Sequence, residues 1–191
     1  MQKIPTLFVR DPDDRRHVTR EVTPGCEWVL AGEGTPTHKY DGTCVMHDDE
    51  GRWWARREVK PDKKTPPDYV LVQHDEVTGK SVGWEPIGQS PFAAFHAQAL
   101  ANAAKPEVHG RDEPWAAGTY ELIGPKINGN PEQQDRHWLI AHASAVPLAA
   151  GDRTFEGIRT AVLNWHRAGV EGLVFHHPDG RMAKIKGRDF A

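Results

Sequence analysis

The chain has 191 residues, 38% hydrophobic and 27% charged, with a formal net charge of -3. This balance excludes a disordered chain, and no apolar run approaches the ~20 residues of a membrane-crossing helix. Two cysteines, Cys26 and Cys44, are too few for a disulfide scaffold and form no CxxC pair. The N-terminal MQKIPTLFVRDPDD lacks the apolar stretch of a signal peptide, so the expectation is one reduced, cytoplasmic domain over residues 1–191.

In chain order, short β-type runs bounded by Gly, Pro or Asp predict strands at Glu27–Ala31, Thr43–His47, Arg52–Val59 and Tyr69–His74. The GEGTPTH stretch, residues 32–38, reads as loop by composition. Ser90-Pro91 reads as a helix start, with Ser90 as N-cap and the helix running to Ala104; residues 105–117 read as loop. Thr119–Gly124 and His137–Ala143 read as buried strands. Phe155, Ile158, Val162 and Trp165 recur at helical spacing and predict a helix over Phe155–Ala168, stopped by Gly169. A hairpin closes the sequence, Glu171–His177 and Arg181–Lys186 joined through Pro178-Asp179-Gly180. The fold class expected is α+β, antiparallel sheets with flanking helices. Trp53, Trp54, Trp84, Trp115, Trp138 and Trp165 are expected in the core rather than as stacking platforms for bases.

Charge is unevenly spread. Residues 52–64 hold six lysines and arginines (Arg52, Arg56, Arg57, Lys60, Lys63, Lys64) against two carboxylates. Residues 181–189 hold four against one. Such islands on an acidic chain suit phosphate binding in one place and repulsion elsewhere, or are solvated faces. The P-loop, the dinucleotide fingerprint and HExxH are all missing. His176-His177 is a poor chelate, because neighbours on a strand face opposite sides, and no zinc site is expected.

The segment with most chemical content is Lys39-Tyr40-Asp41-Gly42-Thr43. Alternation along a strand would put Asp41 on the face of Lys39. Alone, KxDG is turn chemistry that arises by chance. Three later segments add weight: Tyr120-Glu121-Leu122-Ile123-Gly124, Glu171-Gly172-Leu173-Val174-Phe175 and Lys184-Ile185-Lys186. Each sets charge beside or inside an apolar strand. Lys184 and Lys186, two apart, share a face that should meet an anion.

In this order the segments resemble the covalent nucleotidyltransferase superfamily of DNA ligases, RNA ligases and capping enzymes. KYDGTC, WARREVKPDK, GWEPIG, YELIGPKINGNPE, the FEGI helix and EGLVFHHPDGRMAKIK are similar to the vertebrate-type 5′–3′ RNA ligase family. The resemblance implies the adenylation-domain fold without the appended oligonucleotide-binding domain. It implies ATP as the nucleotide, AMP carried on Lys39, and RNA with 5′-phosphate and 3′-hydroxyl ends as substrate, with no membrane partner and a monomeric enzyme. Lys39, Lys184 and Lys186 would be catalytic. The nucleotide would be held by His38, Lys39, Asp41, Gly42, Arg56, Glu121 (ribose), His142 (adenine), Glu171, Lys184 and Lys186. Glu171 would take Mg²⁺ or Mn²⁺, directly or through water. Arg56 would meet phosphate, and Arg57, Lys60, Lys63 and Lys64 would continue along the RNA backbone.

The chemistry is consistent with that assignment. A free lysine is almost entirely protonated near neutral pH, so a nucleophilic Lys39 needs Lys184, Lys186 and burial to favour its neutral amine. The same lysines would hold α-phosphate oxygens as charge builds. The alternatives are a capping-type enzyme that stops at AMP or GMP transfer, and a non-catalytic nucleotide- or RNA-binding module.

Overall fold

The computed structural model describes residues 2–104 and 115–190. The chain divides into two compact units, Met1–Lys3 with Asp41–Ser144 and Ile4–Tyr40 with Ala145–Ala191. Both are α+β, and every strand ladder is antiparallel. Among the described residues no helix is long and apolar enough to cross a membrane.

The first unit is built on a six-stranded sheet. In chain order its strands are β4 (Thr43–His47), β5 (Trp53–Val59), β6 (Val70–Asp75), β7 (Lys80–Pro86), β8 (Gly118–Ile123) and β9 (Trp138–Ala141), and in space they run β6-β7-β5-β4-β8-β9. Alternation splits the central strands. Val45, Tyr120 and Leu122 pack with Ala99 of helix α2 (Ala93–Ala103) and with Ile127. Cys44 and Glu121, register partners, point to the opposite face.

The second unit holds strands β1 (Phe8–Arg10) and β2 (Val18–Val22), the short helix α1 (Glu27–Leu30), β3 (Thr35–Lys39), helix α3 (Phe155–Arg167), β10 (Gly172–His176) and β11 (Met182–Lys186). Its three-stranded sheet runs β11-β10-β3. Leu173, Phe175, Ala183 and Ile185 are fully buried on one face, against a core that includes Ile158 and Val162 of α3. Thr154 caps α3, its hydroxyl accepting from the Gly157 N–H at 3.1 Å. Gly169 follows the helix at φ 91°, a left-handed turn that glycine makes without Cβ strain.

Strands 43–47, 52–59, 69–74 and 119–124, helix 155–168 and the closing hairpin fall where the sequence puts them, within one or two residues. Others differ. Residues 27–31 form the helical turn α1 rather than a strand: β-type Trp28 and Val29 are buried in the second unit's core, and that burial overrides propensity. Half of the 32–38 loop is strand β3. Its Pro36 is accommodated because β3 is an edge strand, and further bonds run from Leu148 N to Pro36 O and His38 N to Val146 O. Helix α2 begins at Ala93, not after Ser90; Ser90 ends a preceding 3₁₀ turn, and its carbonyl accepts from Ala93 N–H. Strands β1, β2 and β7 were not anticipated as elements. Of the 105–117 loop, residues 105–114 lie outside the described residues.

His96 of α2 is 4% exposed beside Trp53, with ring centroids 4.6 Å apart, and no described residue bonds its Nε2. Burial, aided by the charge of His47, pushes its pKa down from 6.5 to about 4. The unfolded chain therefore binds a proton between those values that the folded chain does not, and stability falls as pH drops through that window. Urea denaturation should show a loss of about 2 kcal/mol between pH 7 and pH 5 from this group, and His96→Leu should flatten the slope. An unchanged slope in the variant would contradict the assignment.

Candidate active site

The closing hairpin and β3 generate a charged row on the sheet face opposite the buried one. Lys39 is the register partner of Gly172, which partners Lys186. Residues directly opposite on neighbouring strands share a face, so the two lysines flank a position with no side chain. Gly172 is required there for a second reason: a Cβ would run into the Ile185 carbonyl and the Lys186 backbone.

Glu171 occupies the space this leaves. It immediately precedes β10, and its carbonyl accepts from Gly187 N–H at 3.0 Å. Lys39 Nζ donates to Glu171 Oε2 at 2.5 Å, and Lys186 Nζ donates to Oε1. The Lys39, Glu171 and Lys186 side chains are only 20%, 11% and 15% exposed, respectively. Burial works against ionisation of Glu171. The Lys39 charge, the hydrogen bonds from Lys186 and Lys39 and the Lys186 charge outweigh it, and hold the carboxyl below its usual range.

Lys184 lies on the same face as Lys186, opposite Val174. Its backbone is tied to the N-terminal segment, accepting from Leu7 N–H and donating to Pro5 O. Lys186 N–H donates to Asp189 Oδ2 at 2.9 Å, and the buried Asp189 pairs with Arg10 at 2.8 Å. Neither Asp189 nor Arg10 was singled out from the sequence; only the acidic interruption of a basic tail marked Asp189. His38 is apart from the row. It partners core-facing Leu173 and stacks on Tyr40 at 4.0 Å.

The first unit holds a second cluster. Gly42 N–H donates to Glu121 Oε1 at 3.1 Å, and His142 Nε2 lies 3.0 Å from Oε2. The other ring nitrogen of His142 is 2.9 Å from Thr119 Oγ1. His142 lies in a 3₁₀ turn after β9, not in the strand as expected. The backbone of Gly42 passes so close to Leu122 and Ile123 that a side chain would collide. Asp41 does not share a strand face with Lys39, because β3 ends at Lys39 and Asp41 sits in the connection to β4. It is held instead by the β8–β9 loop: Asp41 N–H donates to Glu132 Oε1 at 2.8 Å, and the Asn128 amide donates to Asp41 Oδ1 at 3.0 Å and Gly42 O at 2.8 Å. Asn128 and Glu132 were missed as individual residues. Their signal was an Asn/Gly-rich stretch, where Asn128 and Asn130 adopt positive φ.

Arg56 lies half-buried on β5, opposite Trp84. Its alternation with Ala55, which partners Val45, puts it on the face of Cys44 and Glu121. Arg57 is exposed, 4.0 Å from Glu85. Lys60, Lys63 and Lys64 are exposed in the turn that follows β5. Among the described residues no three His, Cys, Asp or Glu side chains gather to hold a metal. A magnesium ion that keeps most of its waters needs only one or two carboxylates, and an ionised Glu171 meets that chemistry.

No family model matches the chain. It is 22% identical to the protein named RNA ligase 1 of Pongo abelii, over 96% of this chain and 79% of that protein. The likeness is distant and spans nearly the whole sequence.

Glu171→Gln keeps the shape and removes the charge. Because the carboxyl is held below its ordinary 4.5, its stabilising contribution is full above that value and is lost as pH falls through the lower folded-state value. The variant should be less stable by roughly 1–3 kcal/mol at pH 7, with the difference closing in acid. Equal stability at pH 7, or a gap that persists in acid, would show that the shared carboxylate is not what holds the two lysines.

Proposed function

We propose that the protein is an ATP-dependent RNA ligase whose nucleophile is Lys39. The observation that carries this reading is the row Lys39–Gly172–Lys186 closed by Glu171: a lysine with an acceptor at its amine and a second cation beside it. The distant likeness to an RNA ligase supports the substrate class.

The reaction runs in three displacements at phosphorus. Once its proton has passed to solvent, the neutral Lys39 Nζ, aimed by Glu171 Oε2, attacks the α-phosphorus of ATP. The N–P bond forms as the bond to pyrophosphate breaks, leaving AMP on the lysine. Lys186, with Lys184 on the same face, meets the α-phosphate oxygens where charge develops. A 5′-phosphate oxygen of RNA then attacks the same phosphorus and releases the lysine, giving an RNA adenylate. Finally a 3′-hydroxyl attacks the 5′-phosphate, and AMP departs with the phosphodiester formed.

In this reading Glu121, oriented by Gly42 and His142, receives the ribose hydroxyls, and His142 flanks the adenine. Asp41 and Gly42, pinned by Asn128 and Glu132, fix the chain after the nucleophile. His38, on the core-facing side of β3, positions Lys39 through the backbone. Arg56 meets the RNA 5′-phosphate, while Arg57, Lys60, Lys63 and Lys64 follow the backbone. Glu171 is the residue that would hold Mg²⁺ or Mn²⁺, whose chemistry when bound is to neutralise charge on the phosphate oxygens. The enzyme is proposed to act as a cytoplasmic monomer in RNA repair.

The test uses α-labelled ATP. The protein should become labelled with ATP far better than with GTP, and unlabelled RNA carrying a 5′-phosphate and a 3′-hydroxyl should then remove the label as joined product appears. Lys39→Ala should abolish labelling, and Lys186→Ala should slow it on the order of a hundredfold, the scale of losing one preorganised charge partner. Equal labelling by GTP with no joined RNA would favour the capping-type alternative. No labelling at all would leave a binding module.

A further inference from the structure

Next to Arg56 stands an aromatic residue that the ligation chemistry does not use. Trp54 is two residues before Arg56 on β5, hence on the same sheet face and about 6.6 Å away along the strand. Its neighbour Trp53 points the other way, into the first unit's core. Trp54 is half-buried rather than enclosed, so the expectation that it is a core residue does not hold.

The indole is fixed at its edge and over one face. Its Nε1–H donates to Asp48 Oδ2 at 2.8 Å. The same carboxylate accepts from Arg52 Nε and Arg52 N–H, each at 2.8 Å. Arg52 also pairs with Glu50 at 2.6 Å, and its guanidinium lies 5.3 Å from the indole centroid. Those hydrogen bonds outweigh the desolvation of Asp48 and hold its carboxyl well below the usual carboxylate range. Core packing asks for none of this: a partly exposed indole fixed by a carboxylate at its Nε1 and flanked over one ring face by a guanidinium is preorganised. A rigid π-face one pleat away from a phosphate-type arginine matches the base and the phosphate of a single nucleotide. The exposed Lys60, Lys63 and Lys64 beyond the strand extend the positive charge in the same chain direction, which suits a polyanion rather than a mononucleotide.

We infer that Trp54 and Arg56 together form a subsite for the 5′-terminal nucleotide of RNA, the indole stacking on the base while the guanidinium holds the 5′-phosphate. This rests on the reading of the chain as an RNA ligase and adds to it a residue that grips the donor end by its base, whatever the sequence, because every base has a π-face.

The experiment reads binding without catalysis, so its outcome is independent of whether the protein ligates. A fluorescein-labelled RNA oligomer with a 5′-phosphate is titrated with the full chain by anisotropy, alongside the same oligomer with an abasic 5′-terminal residue. Trp54→Leu should weaken binding of the intact RNA roughly five- to a hundredfold, the scale of one base–aromatic stack. Trp54→Phe should retain most of the affinity, which also guards against misfolding. With the abasic end, wild type and Trp54→Leu should bind alike. A Trp54→Leu defect of equal size on both oligomers would overturn the stacking assignment. So would unchanged RNA affinity with a raised ATP requirement for self-labelling, which would give the indole to adenine.

Discussion

Two ammonium groups on one partly buried carboxylate set the terms for the rest of the site. Desolvating three charges is costly, and the cost is recovered only if geometry is good and each charge has a partner. Here the geometry comes from register. Antiparallel pairing puts Lys39 and Lys186 in one row, two strand spacings apart, and Gly172 leaves the middle of that row empty. Glu171 fills it from the end of the strand. The buried side of the same sheet supplies the stiffness: Leu173, Phe175, Ala183 and Ile185 anchor the alternate residues. Arg10 and Asp189 fix the far end of β11. A net positive row results, with one carboxylate shared between two cations, and such an arrangement favours an incoming anion.

The first unit repeats the logic with weaker charges. Glu121 has both oxygens occupied, by Gly42 N–H and by His142, so it is oriented before any ligand arrives. Asp41 and Gly42 are held by a loop ninety residues away in sequence, through Asn128 and Glu132. The left-handed backbone of Asn128 and Asn130 belongs to a loop shaped by what it holds.

Much of this was legible from the residues. MAKIK reads as a strand with two lysines on one face, and the structure keeps that alternation. The three spacings among Phe155, Ile158, Val162 and Trp165 mark the 155–168 helix and Gly169 marks its end, whereas the Thr154 cap shows only in the structure. What sequence could not supply was pairing. Lys39 and Asp41 look like one strand face, but the chain leaves the strand between them. EWVL has strand-type residues, yet the second unit's core takes Trp28 and Val29 as a helical turn. Pro36 argues for loop until an edge position is known. Trp54 and Trp53 are identical by type and adjacent. Only the register shows that one faces a core and the other lies on the sheet face that carries Arg56 and Glu121.

Lys39, and not the lysine that shares its carboxylate, is proposed to carry the nucleotide. Incubating the protein with ATP and Mg²⁺, digesting it at neutral pH and mapping the added AMP by tandem mass spectrometry tests this directly. A single adduct on Lys39 is predicted. An adduct on Lys186, which faces the same glutamate from the other side, would contradict it and would reverse the roles of the two lysines.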